Sequence, residues 1–123
     1  AKKNNLNLKK TYEGIKISSG NSFVHETESQ VILNGSYNIN FTMDLVEKDM
    51  SLFNKLSKDL DINLEIAPFI LDIFKDAKKK FGSRAWSSMV VKRLEDKYGI
   101  NFREKGFPDE LVDHEPEEKG HEV

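Results

Sequence analysis

Lys48 and Asp49 place two opposite charges on the apolar side of a predicted helix. The apolar residues of this segment recur at helical spacing and define one stripe. They are Leu45, Leu52, Phe53, Leu56 and Leu60. Asp49 falls on this stripe and Lys48 lies at its edge. Because a bare charge on a buried face costs several kcal/mol, two interpretations stay open. Either the helix packs loosely around a structural or solvated ion pair, or the two charges face a polar cleft.

A second group of polar residues surrounds a glycine and is called here the serine–glycine turn. It consists of Ser18, Ser19, Gly20, Asn21 and Ser22. Taken alone, this pattern is typical of the boundary between two helices. Gly20 would end one helix, and Asn21 or Ser22 would cap the next.

Five helical segments are predicted, and glycines separate several of them. They cover residues 8–17, 22–34, 43–60, 66–81 and 87–98. Asn7 and Thr42 are the expected N-caps of the first and third segments. Gly35, Gly82 and Gly99 follow the ends of the second, fourth and fifth. No stretch reads convincingly as a strand, so the fold class is predicted to be all-α.

The fourth segment has the most regular periodicity. Its apolar residues are Ile66, Phe69, Ile70, Ile73, Phe74, Ala77 and Phe81. Two roles fit this surface equally well. The residues fill the core against the third helix, or they contact a second subunit.

Length and composition limit the possible classes of protein. With 123 residues the chain fits one domain with a modest core. A net charge of −2 gives no electrostatic drive toward nucleic acid or anionic membrane, so neither is expected as a partner. No apolar run reaches the roughly 18 residues that would suggest a membrane span. The chain has no cysteine and no signal-peptide pattern, which suits the cytoplasm.

The end of the chain differs in composition from the rest. Residues 107–123 hold two of the three prolines, two of the three histidines, and seven acids against one lysine. Such a segment is expected to bury little surface and to be an extended or partly disordered arm. The predicted organisation is therefore a helical domain over residues 1–100 and an acidic arm over residues 101–123.

Histidines and carboxylates occur together at two places. His25 stands beside Glu26 and Glu28, and the arm carries His114 and His121 among several acids. Neither spacing fits a known zinc site, and an extended arm offers no supporting shell. No metal site is predicted.

Two stretches, in this order, resemble a known family. Residues 17–35 read ISSGNSFVHETESQVILNG, and residues 40–53 read NFTMDLVEKDMSLF. They resemble the C-terminal domain of the β-hydroxyacid dehydrogenases, the 3-hydroxyisobutyrate dehydrogenase-like family related to 6-phosphogluconate dehydrogenases. The resemblance covers about residues 6–94. It implies an all-α C-terminal domain of that type, with a dinucleotide-binding domain and a long linking helix upstream of this fragment.

The resemblance also implies roles for individual residues. Lys48 would contact the nicotinamide end of NAD or NADP, and Asp49 would be structural. The residues expected to approach the substrate are Ser19, Gly20, Asn21 and Phe41. Phe41 could instead be a hydrophobic staple at the start of the helix. The general acid/base lysine would lie upstream, so no catalytic residue is expected in this chain.

Several positions depart from the family pattern. Phe23 stands where many relatives have tryptophan, and Asn40 replaces a glycine. The acid usual near the late glycine turn is missing around Ala85 and Trp86. These departures suggest a divergent subgroup and leave the substrate open.

Two functions are therefore considered. In the first, the chain is part of an NAD(P)-dependent oxidoreductase acting on a small β-hydroxy acid. It would close the active site over its own dinucleotide-binding domain and mediate homo-oligomerisation, most simply as a dimer. The isolated fragment would bind no cofactor and be inactive. In the second, the chain is a non-catalytic all-α interaction module. The periodicity does not separate these functions, and only the resemblance favours the first.

Overall fold

The computed structural model describes residues 1–114, 116 and 119–120. These residues form five α-helices and two short 3₁₀ helices. The α-helices are α1 (Leu8–Lys16), α2 (Phe23–Asn34), α3 (Met43–Asp59), α4 (Ile66–Phe81) and α5 (Lys92–Tyr98). The 3₁₀ helices are Lys2–Asn4 and Ser87–Val91. The described part of the chain contains no strand, only an isolated antiparallel bridge between Thr42 and Trp86. The predicted all-α class is confirmed.

The start of α1 and both ends of α2 are fixed by local caps that the sequence predicts. The Asn7 side chain accepts a hydrogen bond from Lys10 N at 2.8 Å. Ser22 Oγ accepts one from His25 N at 3.0 Å. Gly35 follows α2 in the left-handed region with φ 98°. Each contact satisfies a backbone group that the helix end leaves unpaired.

The first turn of α3 is capped by main-chain carbonyls and not by the predicted Thr42 side chain. Thr42 occupies the N-cap position, but its hydroxyl donates to the Asp44 carboxylate and makes no cap hydrogen bond. The first amides of α3 instead donate to main-chain carbonyls, Met43 N to Ala85 O and Asp44 N to Ser83 O. The loop between α4 and α5 therefore holds the beginning of α3.

The fifth predicted helix is only partly an α-helix. Residues 87–91 form a 3₁₀ helix, and α5 begins at Lys92. Ser88 Oγ donates to Tyr37 O at 2.7 Å, and both serines of this segment are buried. The hydrogen bond to Tyr37 O holds residues 87–91 against the α2–α3 loop. In residues 87–91, a 3₁₀ turn replaces the expected α-helical turn.

Four of the five residues in the predicted apolar stripe of the third helix are exposed, and the fifth, Leu45, is half-buried. Met43, Asn54 and Ser57 are the buried residues of α3, and α4 packs against this helix through its own buried Leu71 and Ala77. The small polar side chains let the two helices approach closely. Six large apolar residues of α3, of α4 and of the position that follows α3 are between 51 % and 73 % exposed. They form what is called here the outer face: Leu52, Phe53, Leu56, Leu60, Ile66 and Phe69.

The arm contributes to the core, contrary to the expectation from its composition. Leu8, Tyr12 and Leu33 form a buried cluster, and Phe102 and Phe107 pack against it. The Phe107 ring meets the Tyr12 ring edge-on with centroids 5.2 Å apart. Phe102 and Phe107 are half-buried, while the acids Asp109, Glu110 and Asp113 are exposed. The overall charge of the segment therefore did not reveal its packing. The boundary at residue 100 stays a prediction.

Within the described residues, no helix is both long enough and apolar enough to cross a membrane.

Candidate functional site

Lys48 and Asp49 form an exposed ion pair on the second turn of α3. Their side chains are 58 % and 52 % exposed, and Lys48 Nζ donates to Asp49 Oδ1. The sequence left open whether these charges form a solvated pair or face a polar cleft. Their exposure supports the solvated pair. An ammonium carries three N–H donors, so Lys48 has two more for a ligand approaching from solvent. The role of Asp49 in fixing Lys48 is compatible with this contact and stays a prediction.

Phe41 is held just before α3 by the loop that follows α4. Its carbonyl accepts a hydrogen bond from Ser87 N at 2.8 Å, and the neighbouring Thr42 pairs with Trp86. The Phe41 side chain is 37 % exposed. Its backbone is therefore fixed while part of the ring surface faces solvent.

Two residues of the serine–glycine turn have structural tasks. Ser18 Oγ donates to Ile15 O at 2.8 Å and accepts from Gly20 N at 3.2 Å. Ser22 is the N-cap of α2, which settles the choice left open between Asn21 and Ser22. Ser19 and Asn21 are exposed.

Gly20 does not end a helix, contrary to the interpretation of the turn as a helix boundary. The helix α1 ends at Lys16, and its C-cap is Ile17 with φ −94°. Gly20 is not among the glycines with positive φ. A Cβ at this position would meet only Ser18 Oγ, at an ordinary 3.5 Å. The backbone therefore does not require a glycine here, and the missing side chain leaves open space beside the turn.

Glu26 braces the turn from α2, a role that the sequence did not reveal. Its carboxylate accepts a hydrogen bond from Asn21 Nδ2 at 2.6 Å and pairs with Lys16 Nζ at 3.1 Å. The hydrogen bonds from Asn21 and Lys16 lower the pKa of Glu26, and the hydrogen bond to Glu26 raises the pKa of Lys16. An acid in the first turn of a helix was the only indication available.

The predicted site residues fall into two groups on different elements. Phe41, Lys48 and Asp49 belong to the start of α3, and Ser19, Gly20 and Asn21 belong to the α1–α2 connection. No hydrogen bond among the described residues joins the two groups. Each group faces solvent, so neither forms an enclosed site by itself.

The histidine considered for metal binding is engaged by neighbouring residues. His25 Nε2 lies 3.0 Å from Tyr12 O, and Nδ1 lies 3.2 Å from Ser29 Oγ. Across the described ranges, no group of three His, Asp or Glu side chains is arranged to hold a metal ion. His114 is exposed, and His121 lies outside the described residues.

Comparison with known proteins identifies the family. Residues 1–94 match the family model described as NAD-binding of NADP-dependent 3-hydroxyisobutyrate dehydrogenase. This match covers most of the chain, which therefore belongs to the 3-hydroxyisobutyrate dehydrogenase-like family. The family resemblance inferred from residues 17–35 and 40–53 is confirmed. A search of curated proteins finds no match. The family match stops at Leu94, so the arm lies outside it.

Proposed function

We propose that this chain is the part of an NAD(P)-dependent dehydrogenase that closes over cofactor and substrate. The family is named for NAD binding and for 3-hydroxyisobutyrate dehydrogenase, and the proposed substrate is a small β-hydroxy acid. Lys48 would bind the nicotinamide end of the cofactor, with Asp49 holding its side chain. Ser19, Gly20, Asn21 and Phe41 would contact the substrate. The general acid/base lysine and the dinucleotide-binding domain would be supplied upstream, and the cytoplasm is the expected compartment.

The observation that carries this proposal is the open space at Gly20. Neither its φ nor its neighbours require a glycine, although the turn around it is firmly held by Ser18, Ser22 and Glu26. A rigid turn with an unobstructed backbone suits close approach of a ligand. The exposed donors of Lys48 supply a second contact point that a closing domain could bring to the same ligand.

The substitution Gly20→Ala tests this proposal. It should leave the thermal midpoint nearly unchanged, because an alanine fits the backbone of the isolated turn. In the dehydrogenase that carries this chain, it should raise KM for the β-hydroxy acid about tenfold or more, because the new methyl group occupies the approach to the turn.

Gly14→Ala is the matched control for this experiment. Gly14 lies inside α1 with no atom near the position of its Cβ. Alanine there should stabilise the helix by up to about 1 kcal/mol and leave KM unchanged. An unchanged KM in Gly20→Ala would remove the turn from the substrate site.

The isolated chain should not reduce a nicotinamide cofactor with any member of a panel of β-hydroxy acids. The reason is that the proposed acid/base lysine and dinucleotide-binding domain are supplied by another part of the enzyme. Cofactor absorbance in the near-ultraviolet is the measurement. Turnover by this chain alone would show that the assignment of domains is wrong.

A non-catalytic interaction module remains the alternative, and the outer face is the feature that favours it. Phe53 and Ile66 line one shallow groove between α3 and α4. Under the first proposal, this face contacts another subunit of the same enzyme or its own dinucleotide-binding domain. Under the alternative, it binds an unrelated partner. Detection of β-hydroxy acid oxidation by the complete protein would support the dehydrogenase proposal over the interaction module.

A further inference from the structure

The arm is fixed to the helical core by a cluster of three polar side chains, of which Tyr37 and Glu95 are buried and Arg103 is half-buried. Glu95 is almost fully buried, and its carboxylate accepts hydrogen bonds from Tyr37 at 2.6 Å, Phe102 N at 2.7 Å and Arg103 at 2.8 Å. Arg103 also donates to the Tyr37 hydroxyl at 2.6 Å. The arm therefore leaves α5 in a defined direction.

Further contacts guide the arm along α2 and the loop that follows it. Glu104 N donates to Leu33 O at 3.0 Å, and Leu111 N donates to Asn38 O at 3.2 Å. Between them, Asn34 Nδ2 donates to Phe107 O at 3.0 Å. Main-chain hydrogen bonds at both ends of this stretch fix its register as far as Leu111.

Residues 112–114 of the arm reach the first turns of α2. Val112, Asp113 and His114 form one wall of a pocket of about 70 Å³, and the opposite wall includes Lys16, Phe23 and Glu26. Most of the lining side chains are polar. A pocket of this volume holds only a few water-sized groups.

Glu26 connects this pocket to the serine–glycine turn. Its Oε1 binds Asn21 and its Oε2 binds Lys16, so a single carboxylate faces both the turn and the pocket. The pocket therefore begins one side chain away from the turn, at Glu26.

We propose that the arm is a substrate-selecting element: residues 112–114 limit the size of the substituent on the β-hydroxy acid that the turn accepts. This inference rests on the proposed function. The small volume of the pocket favours a short substituent over a bulky aromatic one. The arm lies beyond the residues that match the family, so it can give this chain a selectivity of its own.

The test uses the complete enzyme with the chain shortened after Leu111. This variant keeps the Tyr37–Glu95–Arg103 cluster, Phe107 and the hydrogen bond of Leu111, so the helical domain should retain its thermal midpoint. With the outer wall removed, the ratio of kcat/KM for an aryl-substituted over a methyl-substituted β-hydroxy acid should rise about tenfold or more.

Two point variants complete the experiment. Val112→Trp fills the pocket without removing the arm and should lower the same ratio. Glu110→Ala changes an exposed arm residue outside the pocket lining and should leave the ratio unchanged.

The possible failures are distinguishable. Normal turnover of the methyl-substituted acid with an unchanged ratio in both the shortened enzyme and Val112→Trp would overturn the role of the arm alone. Absence of β-hydroxy acid turnover in the unmodified enzyme would overturn both this inference and the proposed function.

Discussion

Lys48 and Asp49 lie in water because the face of α3 that carries them turns outward. The desolvation cost implied by their position in the sequence therefore does not arise. An exposed pair of neighbouring residues adds little to stability. Asp49→Ala should accordingly change the free energy of unfolding only slightly, whereas a buried pair would have made that substitution costly. What the pair supplies is a positioned cation.

Removing this cation should affect catalysis far more than folding. In the complete enzyme, Lys48→Ala should lower kcat/KM about ten- to a hundredfold, because a charge-assisted hydrogen bond is worth about 1.5–3 kcal/mol. The thermal midpoint should not change. Steady-state kinetics and thermal unfolding of the same preparation provide the two measurements.

Lys55→Ala is the control on the same helix. Lys55 is also exposed and pairs with an acid, Asp59, one turn further along. Its removal should leave kcat/KM as it was. Equal kinetic losses in the two variants would indicate a general effect of charge on α3, and no loss in Lys48→Ala would exclude Lys48 from the cofactor site.

The arm and the loop after α2 are stabilised together through Glu95. Burial raises the pKa of this carboxyl, but the hydrogen bonds from Tyr37, Phe102 N and Arg103 together lower it below its usual range. Burial and the hydrogen bond to Glu95 raise the pKa of Tyr37 to about 12. At neutral pH, Glu95 is thus ionised and Tyr37 is protonated, which is the pairing that the hydrogen bonds require.

Gly35 makes room for this cluster. It takes the left-handed φ of 98°, and a Cβ at this position would lie 2.3 Å from Arg103 Nε. A side chain there would be strained by the backbone and would displace the guanidinium. The same glycine therefore ends α2 and admits the side chain that fixes the arm.

The stability of the chain should fall on acidification, in part through Glu95. A carboxyl whose pKa is lowered by folding stabilises the native state above the pKa of the unfolded chain, and this contribution is lost as the pH falls through the folded pKa. The loss is expected below about pH 4. Glu95→Gln should lower the free energy of unfolding by about 1–3 kcal/mol at pH 7 and make the acid-induced decline shallower.

Urea denaturation at a series of pH values measures this effect. Glu110→Gln, an exposed acid of the same arm, should follow the unmodified chain at every pH. If Glu95→Gln and the unmodified chain declined in parallel, the Glu95 carboxylate would not be the group that titrates.

Local interactions explain which elements the sequence predicted correctly. Asn7, Ser22 and Gly35 act on backbone groups within a few residues, so the start of α1 and both ends of α2 could be read from the sequence. The orientation of α3 could not, because this helix has both a small polar stripe and a larger apolar one, and the partner determines which is buried. The arm depends on contacts such as Tyr37 with Glu95, 58 residues apart, which periodicity does not report.

The candidate site was also predictable only in part from the sequence. The order of the turn and the helix along the chain identified Gly20 and Lys48 as members of a family pattern, and the structure adds that both are accessible. Glu26 was missed because its contacts to Asn21 and Lys16 follow from the angle between α1 and α2, which no spacing in the sequence specifies.

At the scale of the whole molecule, three surfaces of the described chain are exposed to solvent: the two groups of site residues and the outer face. The two groups of site residues face solvent, and the outer face leaves six large apolar side chains more than half exposed. Apolar patches of this kind on a folded chain mark interaction surfaces. Phe69 is 65 % exposed and does not fill the core of the described chain, whereas Ala77 of the same predicted set is fully buried. A subunit contact stays a prediction for the exposed residues of this set.

The chain should therefore associate in solution, most simply as a dimer. Sedimentation at micromolar concentration should give about twice the mass of one chain. Phe69→Asp should return the chain to a monomer with unchanged helical circular dichroism, because it places a charge in the contact without disturbing the core.

Ile17→Asp is the matched control for this substitution. Ile17 is 87 % exposed and lies at the end of α1, outside the outer face. The same change from an apolar to an acidic residue there should leave the dimer intact, since no contact of α3 and α4 is altered. A monomeric unmodified chain would refute association. Unfolding of Phe69→Asp would instead show that this residue supports the fold, and dissociation by both variants would point to net charge rather than to the outer face.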